Sequence, residues 1–526
     1  MIANPTAAHA ELLPNGLTAP IAFERLKHLP NCCWLDSALA GDKQSRYSFL
    51  AADPIDVLTV ERVAADPLAK LEQWIEEFRS VTVPGLPPFQ GGVAGFMGYE
   101  LGRCFERVPS ARHNEFGLPL ATLGLYDVVL AWDHETEVGW IISQGFPESS
   151  SSKARLQRAK ARCDAFRALL TTNDPESSNR SWSSSGAASE MHAFHAMAHG
   201  LTAPQFETRL GGGWLGNFDS SGFRDAVQTA RDYIHAGDIF QVNLSQRLLC
   251  PARCDSASLY QRLRRVNAAP FAGYLDIGSA QIISASPERF LQVKDRWIET
   301  RPIKGTRRRS GDAILDAKTA RELMNSQKDR SENIMIVDLL RNDLSRVCEI
   351  DSLKVTQLCD VEVFPFVLHL VSSIRARWRP GSSVTELVSA MFPGGSITAR
   401  PKFALWKSSR SWNQRSEAPI AGRWVTLVPM AVWTGIFSFA RLPRREVGGN
   451  SRSVVVSLPI VCLNKRKKRR GLRRPASLRP SMHRFSGDGI CPCCPCGTDG
   501  CGEQWRRGPE HSWRSKNGVS RDKISH

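Results

Sequence analysis

One amine and two carboxylates punctuate the middle of this chain. Lys304 lies in PIKGTRRR (302–309), just after a strand-like run. Glu288 precedes it in SASPERF, at a strand end, and Glu332 follows in SENIMIVDLLRND. An amine can add to an electrophilic carbon and later leave, which splits one hard displacement into two easier ones. A carboxyl can exchange a proton with a departing oxygen, and a carboxylate can hold a hard cation. Further on, FPGGSITA (392–399) sets a glycine turn before Ser396 and Thr398, a pattern that can cradle a carboxylate with backbone N–H groups.

Each residue also has a plainer reading. Glu288 alone is more often a surface carboxylate. Lys304, flanked by Arg301 and Arg307–Arg309, is more often a solvated cation. Glu332 can be an acid that complements a helix N-terminus.

The elements that must position these residues read as α+β, with large antiparallel sheets and outer helices. RYSFLAADP, GGVAGFMGYELGR and LGLYDVVLAWD read as strands and glycine turns, and DPLAKLEQWIEEFRS and 149–165 as helices. Residues 15–170 form an N-terminal region. The polar, Ser-rich stretch at its end makes 171–215 a linker or inserted loop. From there, 216–398 carries a capped helix ending at Gly237, the strands IFQVNLSQRLLC, FAGYLDI, AQIISAS and RFLQVKD, and a long helical region from Ala313 to Leu344.

Charge divides the chain differently. The 526 residues have a formal net charge of +17. Residues 399–526 hold 26 Lys and Arg against 7 Asp and Glu, a net +19. Residues 1–398 hold 43 basic and 45 acidic residues, a net −2. A basic nucleic-acid surface therefore does not describe the body of the protein. Six of the 14 cysteines are also in 399–526, and the other eight are scattered, which suits buried thiols better than a disulfide frame. MIANPTAAHAELLPNG lacks a basic segment followed by an apolar core, so the expected location is the cytoplasm.

Taken together, the motifs resemble the chorismate-utilising enzymes, the family of aminodeoxychorismate synthase component I and anthranilate synthase component I. The resemblance runs from about Leu17 to Thr398, apart from 171–215. It is carried by RYSFLAADP, GGVAGFMGYELGR, AGDIFQVNLSQRL, SASPERF, RPIKGT, SENIMIVDLLRNDL, HLVSSI and FPGGSIT, in that order. At the position of Lys304 anthranilate synthases resemble PIAGT, and the aminodeoxychorismate enzymes carry lysine. The resemblance implies that the Lys304 amine adds at ring C2 of chorismate and expels the 4-hydroxyl. Ammonia then enters at C4 and lysine leaves. It implies Glu288 as general acid–base and Glu332 as a ligand of Mg2+. It implies Gly305, Thr306, His369, Ser396 and Thr398 as the substrate-binding set. Ammonia is expected from a separate glutamine amidotransferase subunit, because the chain shows no glutaminase nucleophile motif.

The resemblance stops at Thr398. Where the family reads GAPKVRAMEIIEELEP, this chain reads ARPKFALWKSSRSWNQRSEAP. Permitted codons for FALWKSSRSW, read one base earlier, give VRAMEIIEEL. The same shift turns PIAGRW into YCGALG, VWTGIFSFAR into MDWNIFIRT and SVVVSLPIV into VGGGIVADS, all family motifs in family order. The expectation is a one-base loss near Thr398–Ala399, which makes 399–526 an out-of-frame basic tail. That tail is expected to stay outside the catalytic sheets and to leave the chain inactive. A second metal-binding carboxylate of the family falls at about Arg469 in this reading. The alternatives are an anthranilate synthase component I, a non-catalytic remnant, or a genuine basic domain with CPCCPC as a metal site. CPCCPC lacks the paired CxxC spacing of zinc sites.

Overall fold

The computed structural model describes residues 8–171 and 200–398, with gaps at 40–43, 79, 81, 107–115, 202, 211–212, 239–240, 253 and 365. It also describes 194–195, 198 and the backbone of four strands beyond residue 420. All described strand pairs are antiparallel, and the strands form one sheet of twelve and one of ten. The expected α+β class with large antiparallel sheets is what the chain adopts.

Alternation along the strands explains the layering. A strand turns successive side chains to opposite faces. In Gly92–Met97 of the ten-stranded sheet, Val93 and Met97 join one core and Ala94 and Phe96 another. In Val128–Asp133 of the twelve-stranded sheet, Val128, Leu130 and Trp132 face one core and Val129 the other. Ala94, Phe96, Val129, Leu275 and Ile282 share one cluster, so the two sheets pack face to face. Helices cover the outer faces. Gln327–Ser345 and Val384–Met391 lie on the ten-stranded sheet, and Ala19–Leu26 and Ser256–Val266 on the other. Where both faces are covered, as in Gly92–Met97, Ala121–Tyr126 and Val128–Asp133, the strands read as near-continuous apolar runs.

The regions before and after 171–215 share these sheets. Cys33–Asp36 pairs with Phe271–Asp276, with Trp34 opposite Tyr274. Part of 171–215 is also built into the fold. Phe206–Glu207 pairs with Leu215–Gly216, which continues onto Gln241–Pro251. The long helical region is two helices, Ala313–Asn325 and Gln327–Ser345. Between them Ser326 caps the second through its side chain. Asp219 caps Ser220–Ala236, which ends at Gly237 with φ +92°. The helix expected at 149–165 spans Ser152–Thr171.

The expectation that 399–526 stays outside the sheets is corrected. Arg423–Leu427 pairs with Gly92–Met97, and Val432–Gly435 with Leu291–Lys294. Ser438–Arg441 pairs with Gln281–Ser286, and Ser453–Asn464 with Gln241–Pro251. The physical reason is composition. SVVVSLPIVCLN and RWVTL are rich in β-branched and aromatic residues, and the strands they join would otherwise present unpaired N–H and C=O groups.

Candidate active site

Lys304 sits on the strand Ile303–Arg308, opposite the strand Val367–Arg377. The register slips between Ile303 and Thr306, which makes a bulge of Lys304 and Gly305. Bulges re-aim side chains beside active sites. Gly305 has φ +86°, and a Cβ there would stand 2.9 Å from Asp329 Cβ. Glycine is therefore required on two counts, and it fixes where Lys304 points.

Lys304 Nζ donates to the backbone O of Ser396 at 3.2 Å and lies 3.6 Å from Glu332 Oε1. Ser396 is in a single helical turn, Gly395–Thr398, that packs tightly on the helix Gln327–Ser345. A Cβ on Gly395 would come within 2.5 Å of Leu339 Cδ2. Glu332 is in the second turn of that helix and is 6% exposed, so it does not complement a helix N-terminus. Gln241 Nε2, from the twelve-stranded sheet, donates to Glu332 Oε1 at 3.3 Å. Glu288 Oε1 accepts from the backbone N–H of Ile303 at 3.2 Å, which ties this carboxylate to the residue before Lys304. Ser286 Oγ accepts from the Glu288 N–H and donates to its carbonyl.

Thr306 stands opposite His369, and Thr306 Oγ1 and His369 Nδ1 hydrogen-bond at 2.9 Å. Burial holds the imidazole down to about 4, so it is neutral at ordinary pH. The structure thus gathers Lys304, Glu288, Glu332, Gly305, Thr306 and His369 around one bulge. Ser396 is present through its carbonyl. The backbone of Thr398 closes the helical turn, and its side chain lies outside the described residues.

The flanking arginines are not a free cationic field. Arg307 pairs with Asp329 at 2.8 Å, Arg309 with Asp316 at 2.9 Å, and Arg301 with Glu362. Sequence reasoning missed Gln241, Asn333 and Ser372. All three stand in the quoted motifs, but only tertiary structure shows what they touch.

Among the described residues, no group of three or more His, Cys, Asp and Glu is placed to hold a metal ion. Asp329 beside Gly305 is also buried but is paired with Arg307, which leaves Glu332 as the buried carboxylate that faces Lys304. That suits the sparing use of protein ligands by Mg2+, which takes one or two carboxylates plus substrate oxygens. Also among the described residues, no helix is long and apolar enough to cross a membrane.

Residues 30–408 match the family described as chorismate binding enzyme, and the chain belongs to that family. Aminodeoxychorismate synthase component 1 of Salmonella typhimurium is 36% identical over 395 residues, covering 72% of this chain and 77% of that protein. The Escherichia coli protein of the same name is 36% identical over 399 residues, 73% of this chain and 78% of its own length. Anthranilate synthase component 1 of Streptomyces coelicolor is 33% identical over 403 residues, 75% and 73% of the two chains. The crystal structure of anthranilate synthase component I from Streptococcus pneumoniae superposes with a TM-score of 0.64 at 22% identity, over 87% of this chain and 95% of that one. The isochorismate synthase MenF of Escherichia coli superposes at 0.57 with 15% identity, over 86% and 89%. These two likenesses concern the fold.

Proposed function

We propose that the chain is the component I type of aminodeoxychorismate synthase, which converts chorismate and ammonia to 4-amino-4-deoxychorismate for p-aminobenzoate and folate synthesis. The observation that carries this reading is Lys304, an amine aimed by a glycine-dependent bulge at a buried carboxylate and the Ser396 carbonyl. In its neutral form Lys304 adds to ring C2 and forms a C–N bond. The two ring double bonds shift by one position each, and the C4–O bond breaks. Glu288 gives the departing hydroxyl its proton. Ammonia then forms a bond at C4, the double bonds return, and the Lys304 amine leaves C2 with its electron pair. Buried, neutral His369 and the exposed Thr306 hydroxyl beside it present a polar pair to the substrate.

Glu332 would hold Mg2+, with Gln241 steadying one of its oxygens. When bound, the ion neutralises a substrate carboxylate. Ammonia would reach the site from a glutamine amidotransferase subunit. Anthranilate synthesis is the rival reading, supported by the Streptomyces coelicolor relative. The lysine at 304, where that chemistry goes with alanine, disfavours it.

We also infer that the reading frame changes near Thr398. The family match ends at residue 408, the charge balance changes sign there, and the shifted codons give family motifs. The segment then lacks the family's later substrate-binding groups, and the chain as it stands is inactive. The test is chorismate turnover with ammonia and Mg2+, for this chain and for one with a base restored after codon 398. Aminodeoxychorismate from the restored chain alone is the expected result. Anthranilate as the main product would remove the functional reading.

A further inference from the structure

We propose that Ser372 is a positioning residue that sets the approach of Lys304 to Glu332. The idea rests on the role given to Lys304 above, but its geometry stands by itself. Ser372 is on Val367–Arg377 and has no exposed surface. Its backbone N–H donates to the carbonyl of Pro302 at 3.2 Å, directly before the bulge that carries Lys304. Its hydroxyl donates to Asn333 Oδ1, and Asn333 is the neighbour of Glu332 on the helix Gln327–Ser345. The same hydroxyl accepts from the backbone N–H of Cys359 at 2.9 Å, on the edge strand Lys354–Val363.

One residue thus joins three elements: its backbone N–H holds the lysine strand, and its hydroxyl ties the glutamate helix to the edge strand. Asn333 completes the clamp, because its Nδ2 donates to the carbonyl of Leu370 at 3.2 Å and it too has no exposed surface. Cys359 is held at φ +57°, inside the second of two register shifts of its strand, between Gln357 and Asp360. A non-glycine residue in that conformation is strained and persists only where its surroundings fix it. A fully satisfied buried network of this kind rigidifies what it joins, and a half-satisfied one does not. Ser372 touches no reacting group in this account. It acts through the spacing of Lys304 and Glu332.

The test is site-resolved acetylation of the full chain with acetic anhydride, read by peptide mass spectrometry. Lys304 is compared with the exposed Lys318 and Lys354. Ser372→Ala should raise the Lys304 rate by about fivefold, the scale of one lost buried hydrogen bond. Lys318 and Lys354 should keep their rates, and Ser372→Thr, which keeps the hydroxyl, should return Lys304 towards the parent rate. An unchanged Lys304 rate overturns the proposal, as does an equal rise at all three lysines. Should Ser372→Ala yield no folded protein, Asn333→Asp removes the donor to Leu370 while keeping the acceptor for Ser372, and the same two outcomes apply. The readout needs no turnover. Failure of the restored parent to use chorismate would sink the proposed function and leave this result intact.

Discussion

Lys304 Nζ and Glu332 Oε1 stand 3.6 Å apart, with both side chains largely buried. They come from different elements, a bulged strand and the helix packed over it, and their spacing decides what the site can do. A buried charge that loses its partner is costly, by roughly 3–5 kcal/mol when one member is removed.

Glu332→Gln in the frame-restored chain should weaken Mg2+ dependence and activity together, because the ion loses a charged oxygen. A Mg2+ titration followed by chorismate consumption checks this. A titration curve that overlays the parent's would leave Glu332 as the structural partner of Lys304 alone.

Glu288→Gln keeps the acceptor for the Ile303 N–H and removes the transferable proton. The expected loss in kcat is on the order of 10²–10⁴. Thermal stability should stay near the parent's. A loss of stability with kcat retained would make Glu288 a brace for the strand.

Gly305→Ala should destabilise the protein by about 1–3 kcal/mol, since φ +86° and the contact with Asp329 both reject a methyl group. Denaturant midpoints measure it. An unchanged midpoint would mean that the bulge is not held as described.

His369 gives a pH signature. Its ordinary value is 6.5, and burial brings it down to about 4. The unfolded chain therefore takes up the proton first as pH falls. Stability from this group is complete above about pH 6.5 and drains away towards pH 4, by about 3 kcal/mol in all. His369→Asn should flatten that part of the urea-midpoint profile between pH 7 and pH 4.5. Parallel profiles for parent and variant would contradict the assignment.

Much of the fold was legible because the strands of residues 15–145 are short apolar runs between turns, and sheets covered on both faces leave that signature. Gly237 likewise marked the end of its helix. The site residues were legible as motifs, through RPIKGT, SASPERF and SENIMIV. Their arrangement was not, because Gln241 and Glu332 are 91 positions apart and meet only when the two sheets pack. Phe206–Glu207 and Leu215–Gly216 were hidden because two-residue strands carry no period. The strands at 423–464 were hidden behind the tail's charge, although their own composition favours β structure.

The reading-frame inference predicts where this chain is cut first. Trypsin should cleave within KRKKRRGLRR (465–474), and chorismate turnover should be absent before cleavage. A trypsin-resistant chain that makes aminodeoxychorismate would contradict the frame change and its consequence.

The central claim is that Lys304 is the nucleophile. Its most direct test is product analysis, by liquid chromatography and mass spectrometry, of frame-restored Lys304→Ala with chorismate, ammonia and Mg2+. The account predicts that aminodeoxychorismate formation falls by on the order of a thousandfold or more, with any residual turnover going to anthranilate. Aminodeoxychorismate formed at the parent rate by the alanine variant would contradict it.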